Sequence, residues 1–89
     1  MDTINLKVKN LTRIQIAHPC IWTGLTETNN KVEIHYINNL LHVIVNNKLI
    51  LNKIVTNYTP LNALDDFMTT EDMLEITGII ELKENWREI

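Results

Sequence analysis

Three histidines and one cysteine are the residues of this chain that suit metal binding or thiol chemistry. Thiolate sulfur and imidazole nitrogen are the ligands that zinc prefers, and a cysteine beside a histidine can form a nucleophile–base pair. Neither the Cys-x-x-Cys nor the helical His-x-x-x-His spacing of strong metal motifs occurs here. We therefore predict no metal centre and no cofactor, with a metal- or thiol-dependent enzyme as the alternative function. The residues that would serve that enzyme are His18, Cys20, His35 and His42.

Cys20 has poor surroundings for a catalytic thiol. A reactive thiolate needs a helix N-terminus or a nearby cation to lower its pKa, whereas Cys20 follows Pro19 at the start of a strand-like segment. The chain also contains no serine and only two glycines, which excludes Ser-His-Asp catalysis and glycine-rich phosphate-binding loops. We expect Cys20 to be a small buried hydrophobic residue and the protein to be non-catalytic.

The carboxylates are concentrated in the last third of the chain, where eight of the eleven acidic residues follow residue 60. Two pairs of them are adjacent in sequence, and neighbouring residues on a helix point about 100° apart, so neither pair converges on a substrate. We predict instead an acidic docking face for a basic protein partner. Its residues are Asp65, Asp66, Glu71, Asp72 and Glu75.

The charge balance argues against nucleic-acid and membrane partners. The formal net charge is −3 and the isoelectric point is near 5.5, while phosphate binding needs a concentrated cationic surface. Nucleic-acid binding stays a second alternative, because aromatic side chains on a sheet can stack on bases; the aromatic candidates are Trp22, Tyr36, Tyr58 and Trp86. The apolar stretches are far shorter than the roughly 20 residues that span a bilayer. A single cysteine and an N-terminus without a signal-peptide pattern indicate the reducing cytoplasm.

Two Asn-Asn pairs divide residues 31–55 into three strand-like segments. Asparagine tolerates a positive φ better than other non-glycine residues, so each pair suits the two-residue loop of a type I′ hairpin. The pattern predicts a three-stranded antiparallel meander that turns at Asn38–Asn39 and at Asn46–Asn47. Counting outward from these loops fixes the cross-strand partners: Ile37 with Leu40, His35 with His42, Ile44 with Leu49, Val43 with Ile50, and His42 with Leu51.

The predicted register divides this meander into a core face and a mixed face. The core face carries Val32, Ile34, Tyr36, Leu41, Val43, Val45 and Ile50. The mixed face carries Glu33, His35, Ile37, Leu40, His42, Ile44, Leu49, Leu51 and Lys53. It is too apolar to be left wholly in water, so the C-terminal helices, the N-terminal strands or a second copy of the protein must cover it. A second candidate protein-binding surface is therefore the part formed by Ile37, Leu40 and Leu49.

The remaining elements are predicted from periodicity and capping. Alternating apolar residues indicate two short strands, around residues 4–8 and 14–16, joined at Asn10, and residues 20–27 indicate a fourth strand of the meander. Residues 59–68 have a Thr-Pro start and apolar residues at helical spacing. A second helix begins after Thr69 and ends at Gly78. Residues 79–83 suit either a closing strand or further helix.

Together these patterns predict an α+β fold, with an antiparallel β-meander sheet of about five or six strands and one or two short C-terminal helices packed against it. We expect one compact domain over residues 1–89, mainly strands in 1–55 and mainly helical in 56–89. The predicted function is that of a small non-catalytic protein-binding module, such as an adaptor, an inhibitor or an accessory subunit. It would act in the cytoplasm through the acidic face or the half-apolar sheet face, on another protein or on a second copy of itself.

Overall fold

The computed structural model of the chain describes residues 3–17, 19–56, 58 and 66–83. Within these ranges the chain forms one sheet of six strands, in the order β5-β4-β3-β2-β1-β6, and one helix. A strand-rich α+β fold built on a meander is therefore confirmed. The elements are β1 Lys7–Gln15, β2 Cys20–Thr26, β3 Lys31–Ile37, β4 Leu40–Val45, β5 Lys48–Ile54, α1 Thr70–Thr77 and β6 Ile80–Leu82.

The turns that join β3 to β4 and β4 to β5 are the two Asn-Asn pairs. All four residues of Asn38–Asn39 and Asn46–Asn47 have a positive φ, between 52° and 65°, as the two central residues of a type I′ turn require. Both two-residue loops are thus confirmed. The register of the first hairpin is also confirmed along its whole length, including the pair that places His35 opposite His42.

The second hairpin follows the predicted register only near its turn. Ile44 lies opposite Leu49 as expected. Val43, however, lies opposite Leu51 and not opposite Ile50. The cause is a β-bulge in which Ile50 is an extra residue of β5, and one extra residue exchanges the two faces of a strand beyond it.

The bulge corrects three face assignments. Ile50, assigned to the core face, is 39% exposed. Leu51 and Lys53, assigned to the mixed face, lie on the core side, where Leu51 packs against the buried cluster. The ammonium group of Lys53 donates to the carbonyl oxygen of Ile76 at 3.1 Å, so its charge reaches the last turn of α1, where a cation is favourable.

The N-terminal prediction of two short strands is wrong, because β1 is one continuous strand. Asn10, the expected junction, lies inside β1 with a φ of 57°, and the register with β2 shows one extra residue beside it. Next to this second bulge, β1 leaves no room for a side chain on Gly24 of β2, because a Cβ atom there would lie 3.1 Å from the carbonyl oxygen of Lys9. A Cβ atom on Gly24 would meet Cγ1 of Val8 at 2.5 Å, so only glycine fits opposite the bulge without a shift.

The last strand makes the sheet mixed, which corrects the expectation of a purely antiparallel sheet. Residues 80–82 form the closing strand β6, which runs parallel to β1 at the edge farthest from β5. A hydrogen bond from the amide of Ile80 to the carbonyl oxygen of Leu6 joins β6 to the residue before β1, and another from the amide of Ile4 to the carbonyl oxygen of Thr77 joins the N-terminal segment to the end of α1. The chain must therefore cross the sheet between β5 and β6, and α1 lies on that path.

The helix α1 begins and ends where the sequence predicts. The hydroxyl of Thr69 accepts a hydrogen bond from the amide of Asp72 at 3.1 Å, and Gly78 ends the helix with a φ of 83°. The start of the earlier predicted helix, with Leu61 and Leu64, lies outside the described residues. Its end does not: Phe67 and Met68 are described and are not helical.

The hydrophobic core lies between one face of the sheet and α1. The alternating residues of β2, β3 and β4 point into it, which is the pattern of a sheet with one covered face. Its largest fully buried side chains are Trp22, Ile34, Leu41, Met68 and Met73. In the described part of the chain, no helix is long and apolar enough to cross a membrane.

Candidate functional site

In the part of the chain that the structure describes, His35 and His42 come together but Cys20 does not join them. Cys20 is fully buried on the core face, opposite Tyr36. His35 and His42 face each other on the other side of the sheet, so the sheet separates them from the thiol. His18 lies outside the described residues, and among those that are described no three His, Cys, Asp or Glu side chains form a metal-binding group.

The surroundings of Cys20 keep its thiol protonated. Its Sγ donates to the carbonyl oxygen of Met68 at 3.6 Å. Burial raises the pKa of Cys20 above its ordinary value, an effect that the Met68 contact and the charge of Arg13 only partly oppose. A neutral, enclosed thiol is a poor nucleophile and a poor metal ligand.

Arg13 holds the segment that enters α1 against the sheet, a role that the sequence analysis missed. Its guanidinium carbon lies 5.2 Å from the ring centroid of Trp22 and 5.0 Å from that of Phe67. Its Nη2 donates to the carbonyl oxygen of Met68 at 2.6 Å, while the indole N–H of Trp22 donates to the hydroxyl of Thr70 at 2.9 Å. In the sequence, the one sign of this role is an arginine among the apolar residues of a strand, and this pattern alone does not indicate the partners of the arginine. We call this cluster within the fold the clamp around Arg13.

Two of the five acidic candidates serve the fold. A side-chain oxygen of Asp66 accepts from the backbone amide of Asn38 at 2.9 Å and so supports the β3–β4 turn. A side-chain oxygen of Asp72 accepts from the hydroxyl of Tyr58 at 2.7 Å. Glu71 and Glu75 are exposed on α1, and Asp65 lies outside the described residues. Within the described residues, Glu71 and Glu75 are the exposed members of the predicted acidic face, and Asp66 and Asp72 are half-buried.

Tyr58 is the centre of the contacts that fix the start of α1. Its hydroxyl donates to Asp72 and accepts from the amide of Thr69 at 3.2 Å, while its ring meets the ring of Tyr36 edge to face at 6.1 Å. Burial, and then the contact with Asp72, raises the pKa of Tyr58. The protonated phenol is therefore the form that the fold requires.

An exposed apolar surface of the sheet lies on the face opposite the core, across β2 to β5. Ile54 is 69% exposed and Leu49 is 53% exposed. Around them lie half-buried aliphatic side chains on both sides of the facing pair His35 and His42. We call this surface the outer patch; its members are Ile21, Ile37, Leu40, Ile44, Leu49 and Ile54 together with His35 and His42.

The structure brings the three predicted residues of the sheet face together within the outer patch. Ile37 and Leu40 are cross-strand partners, and Ile54 continues their row in β5. Leu49 lies with Ile44 on the other side of the histidines. Ile54 was missed because the predicted register did not include the bulge that turns it to this face.

The charges beside the outer patch are matched within the chain. A side-chain oxygen of Glu33 lies 3.0 Å from the ammonium group of Lys31. Another lies 3.6 Å from Nε2 of His35. An apolar surface of this kind can bind another apolar surface.

Comparison of the chain with models of known protein families, with curated proteins and with solved structures finds no match. The function is therefore argued from the geometry of the outer patch and of the groups beside it.

Proposed function

We propose that the protein is a small non-catalytic protein-binding module whose binding surface is the outer patch. The observation that carries the proposal is the exposure of Ile54 and Leu49 on a sheet face that also presents Ile37 and Leu40. Apolar side chains that lie together on a sheet face lose contact with water when a partner packs on them, which is the main driving force of association.

The elements that were expected to cover this face support the proposal by their positions. The helix α1 packs on the opposite face, where Met73 is part of the core. The N-terminal strand β1 extends the sheet beside β2 and does not lie over it. The sequence suggests that the C-terminal helices, the N-terminal strands or a second copy of the protein cover this face. Neither α1 nor β1 lies over it, so among the described elements the face stays open to a second protein molecule.

The sheet face is a better supported surface than the acidic one. Asp66 and Asp72 have hydrogen-bond partners within the fold, so a partner that took them would have to replace those contacts. Glu71 and Glu75 are exposed, but two glutamates on one helix give little affinity in water. The partner is therefore proposed to bring an apolar surface rather than a basic one. The proposed compartment is the cytoplasm, in keeping with the unpaired, buried Cys20.

The proposal is tested by capture experiments with three tagged variants. Ile54→Glu places a charge in the outer patch, and Ile80→Glu makes the same change at an isoleucine of β6 that is 45% exposed and lies two strands beyond β2. A third variant, Glu71→Lys with Glu75→Lys, changes the exposed acids of α1. Burying an unpaired carboxylate is costly, so a protein bound through the patch is recovered at least about tenfold less with Ile54→Glu than with Ile80→Glu.

Quantitative mass spectrometry measures the amount of each captured protein. A capture from host extract without a tagged protein gives the background. Loss of the same protein from both isoleucine variants would point to a general effect of the added charge. Loss that is confined to the lysine variant would move the binding surface to α1. Either result contradicts the proposal.

A further inference from the structure

We propose that His35 and His42 form a surface site that chelates one divalent ion of a late first-row transition metal, with Cu²⁺ bound more tightly than Zn²⁺. The sequence-based expectation was no metal site, when the pairing of these histidines was still a prediction; the register now confirms the pairing. The inference goes beyond the proposed function and does not rest on it. It is carried by the pairing of the histidines, by the strands that hold them and by the charges beside them.

The two histidines are direct cross-strand partners on one face of the sheet. His35 of β3 lies opposite His42 of β4, and both residues are half-buried. Directly opposed residues of an antiparallel pair have Cβ atoms about 4.5–5.5 Å apart. Two nitrogens that bind one ion at about 2.0–2.1 Å each lie about 3 Å apart. Imidazole rings reach this separation from opposed positions by rotation about their side-chain torsions, so the pair suits a bidentate chelate.

The strands that carry the pair are inner strands of the sheet. The strand β3 lies between β2 and β4, and β4 lies between β3 and β5. The register of the β3–β4 hairpin is unbroken along its length, and the pair next to the histidines, Ile34 with Val43, is fully buried on the core face. The fold therefore fixes the two backbone positions before an ion binds. Only the side chains of the ligands have to be ordered, which keeps the entropic cost of binding small.

A carboxylate lies beside the pair. Oε1 of Glu33 is 3.6 Å from Nε2 of His35, while Oε2 of the same carboxylate is 3.0 Å from the ammonium group of Lys31. The ammonium group thus contacts the oxygen that is turned away from the imidazole. A negative oxygen close to a ligand nitrogen favours a cation at that nitrogen.

The other neighbours of the pair carry no charge. The cross-strand row that contains the histidines has Ile21 on β2 and Asn52 on β5. Neither side chain adds a positive charge that would repel an ion, and neither is an acid that would bind an imidazolium group. The pair is therefore flanked along its row by residues that do not compete for the imidazole nitrogens.

The ligand type and number determine which ion suits the site. Imidazole binds copper, nickel and zinc, whereas Mg²⁺ and Ca²⁺ require oxygen ligands. Among the described residues no group of three ligands is already formed, so water fills the remaining coordination positions and the ion exchanges readily. A given site binds Cu²⁺ more tightly than Zn²⁺. We expect a dissociation constant of the order of 10 µM for Cu²⁺ and one at least about tenfold larger for Zn²⁺.

Isothermal titration of the purified full chain with Cu²⁺ tests the proposal, at about pH 7.5 because metal ligation needs neutral imidazole. His35→Gln and His42→Gln each remove one ligand and keep a polar side chain of similar length. Each is expected to weaken binding at least about tenfold. His18→Gln, which changes the third histidine of the chain, is the matched control and is expected to keep the dissociation constant within about twofold. Circular dichroism verifies that each variant is folded.

Pulsed electron paramagnetic resonance of the Cu²⁺ complex gives a second readout, because it counts the imidazole rings bound to the ion. We expect two rings in the wild type and in His18→Gln, and one ring in His35→Gln and in His42→Gln. A wild-type dissociation constant above about 1 mM overturns the site. Equal binding by the wild type and His42→Gln, or a loss of binding caused by His18→Gln, overturns the assignment to the facing pair. None of these variants changes Ile54, so the metal site and the proposed function can fail independently.

Discussion

Arg13 contributes to stability through contacts that no neighbouring residue in sequence reveals. Its guanidinium group lies over the rings of Trp22 and Phe67 and donates to the carbonyl oxygen of Met68. A cation over an aromatic ring contributes about 0.5–2 kcal/mol, and a hydrogen bond from a charged group about 1.5–3 kcal/mol. These contributions are not additive, but both are lost when the side chain is removed.

Replacement of Arg13 is therefore expected to lower the free energy of unfolding. We expect a loss of about 2–3 kcal/mol for Arg13→Ala and about 1–2 kcal/mol for Arg13→Lys, because lysine keeps the charge but not the planar group that stacks and donates. Urea denaturation followed by circular dichroism measures both. Lys48→Ala, at an exposed position of β5, is the control and is expected to change stability by less than about 0.5 kcal/mol. Equal effects of Arg13→Ala and Lys48→Ala would refute the clamp.

The separation of Cys20 from the histidines also depends on single residues. Cys20 lies opposite Tyr36, the neighbour of His35, so the thiol and the imidazole point to opposite faces. The sequence predicts which residues of β3 share a face, because the loop to β4 has two residues of known preference. It does not predict the faces of β2, since the longer turn after Thr26 has no single preferred conformation. The facing histidines were therefore predictable, but their distance from Cys20 was not.

At the scale of elements, turns and caps were predictable because their causes are local. Paired asparagines favour a positive φ, and a threonine before acidic residues caps a helix. The bulges in β1 and β5 were not predictable, because their causes are contacts between strands. The run Leu49-Ile50-Leu51 has no alternation that marks an extra residue. Without the bulge, Asn52 would point into the core opposite Leu41. A polar residue at this core position is the only local sign of the extra residue in β5.

The turn between β4 and β5 allows a direct test of its conformation. Asn47 has a φ of 65°, where a residue other than glycine or asparagine is strained by about 1–2 kcal/mol. We expect Asn47→Ala to lower the free energy of unfolding by about 1 kcal/mol and Asn47→Gly to leave it equal or slightly higher. Asn52→Ala, on the extended part of β5, is the control, with an expected change below about 0.5 kcal/mol. Thermal unfolding of the three variants checks the order, and an alanine variant as stable as the glycine variant would contradict a type I′ turn.

At the scale of the whole molecule, the sheet is asymmetric in what its two faces contact. One face is closed by α1 and by the clamp around Arg13, and the other presents the outer patch. The closed face encloses three groups whose protonated forms the fold favours. Burial is the largest cause of the raised pKa of Cys20, of Tyr36 and of Tyr58. Stability at high pH is therefore a property of this face as a unit.

Alkaline pH is expected to destabilise the fold. The ordinary pKa values are 9.0 for cysteine and 10.0 for tyrosine, and in the folded chain all three groups hold their protons to higher pH than in the unfolded chain. Their contribution is complete below about pH 9 and is lost as the pH rises through the folded values, because the unfolded chain then releases protons that the folded chain retains. Urea denaturation between about pH 8 and pH 11 should show a falling free energy of unfolding. Tyr58→Phe, which removes one of these protons, should be less stable at pH 8 but should show a shallower fall; an unchanged slope would mean that Tyr58 is not held protonated by Asp72 and the closed face.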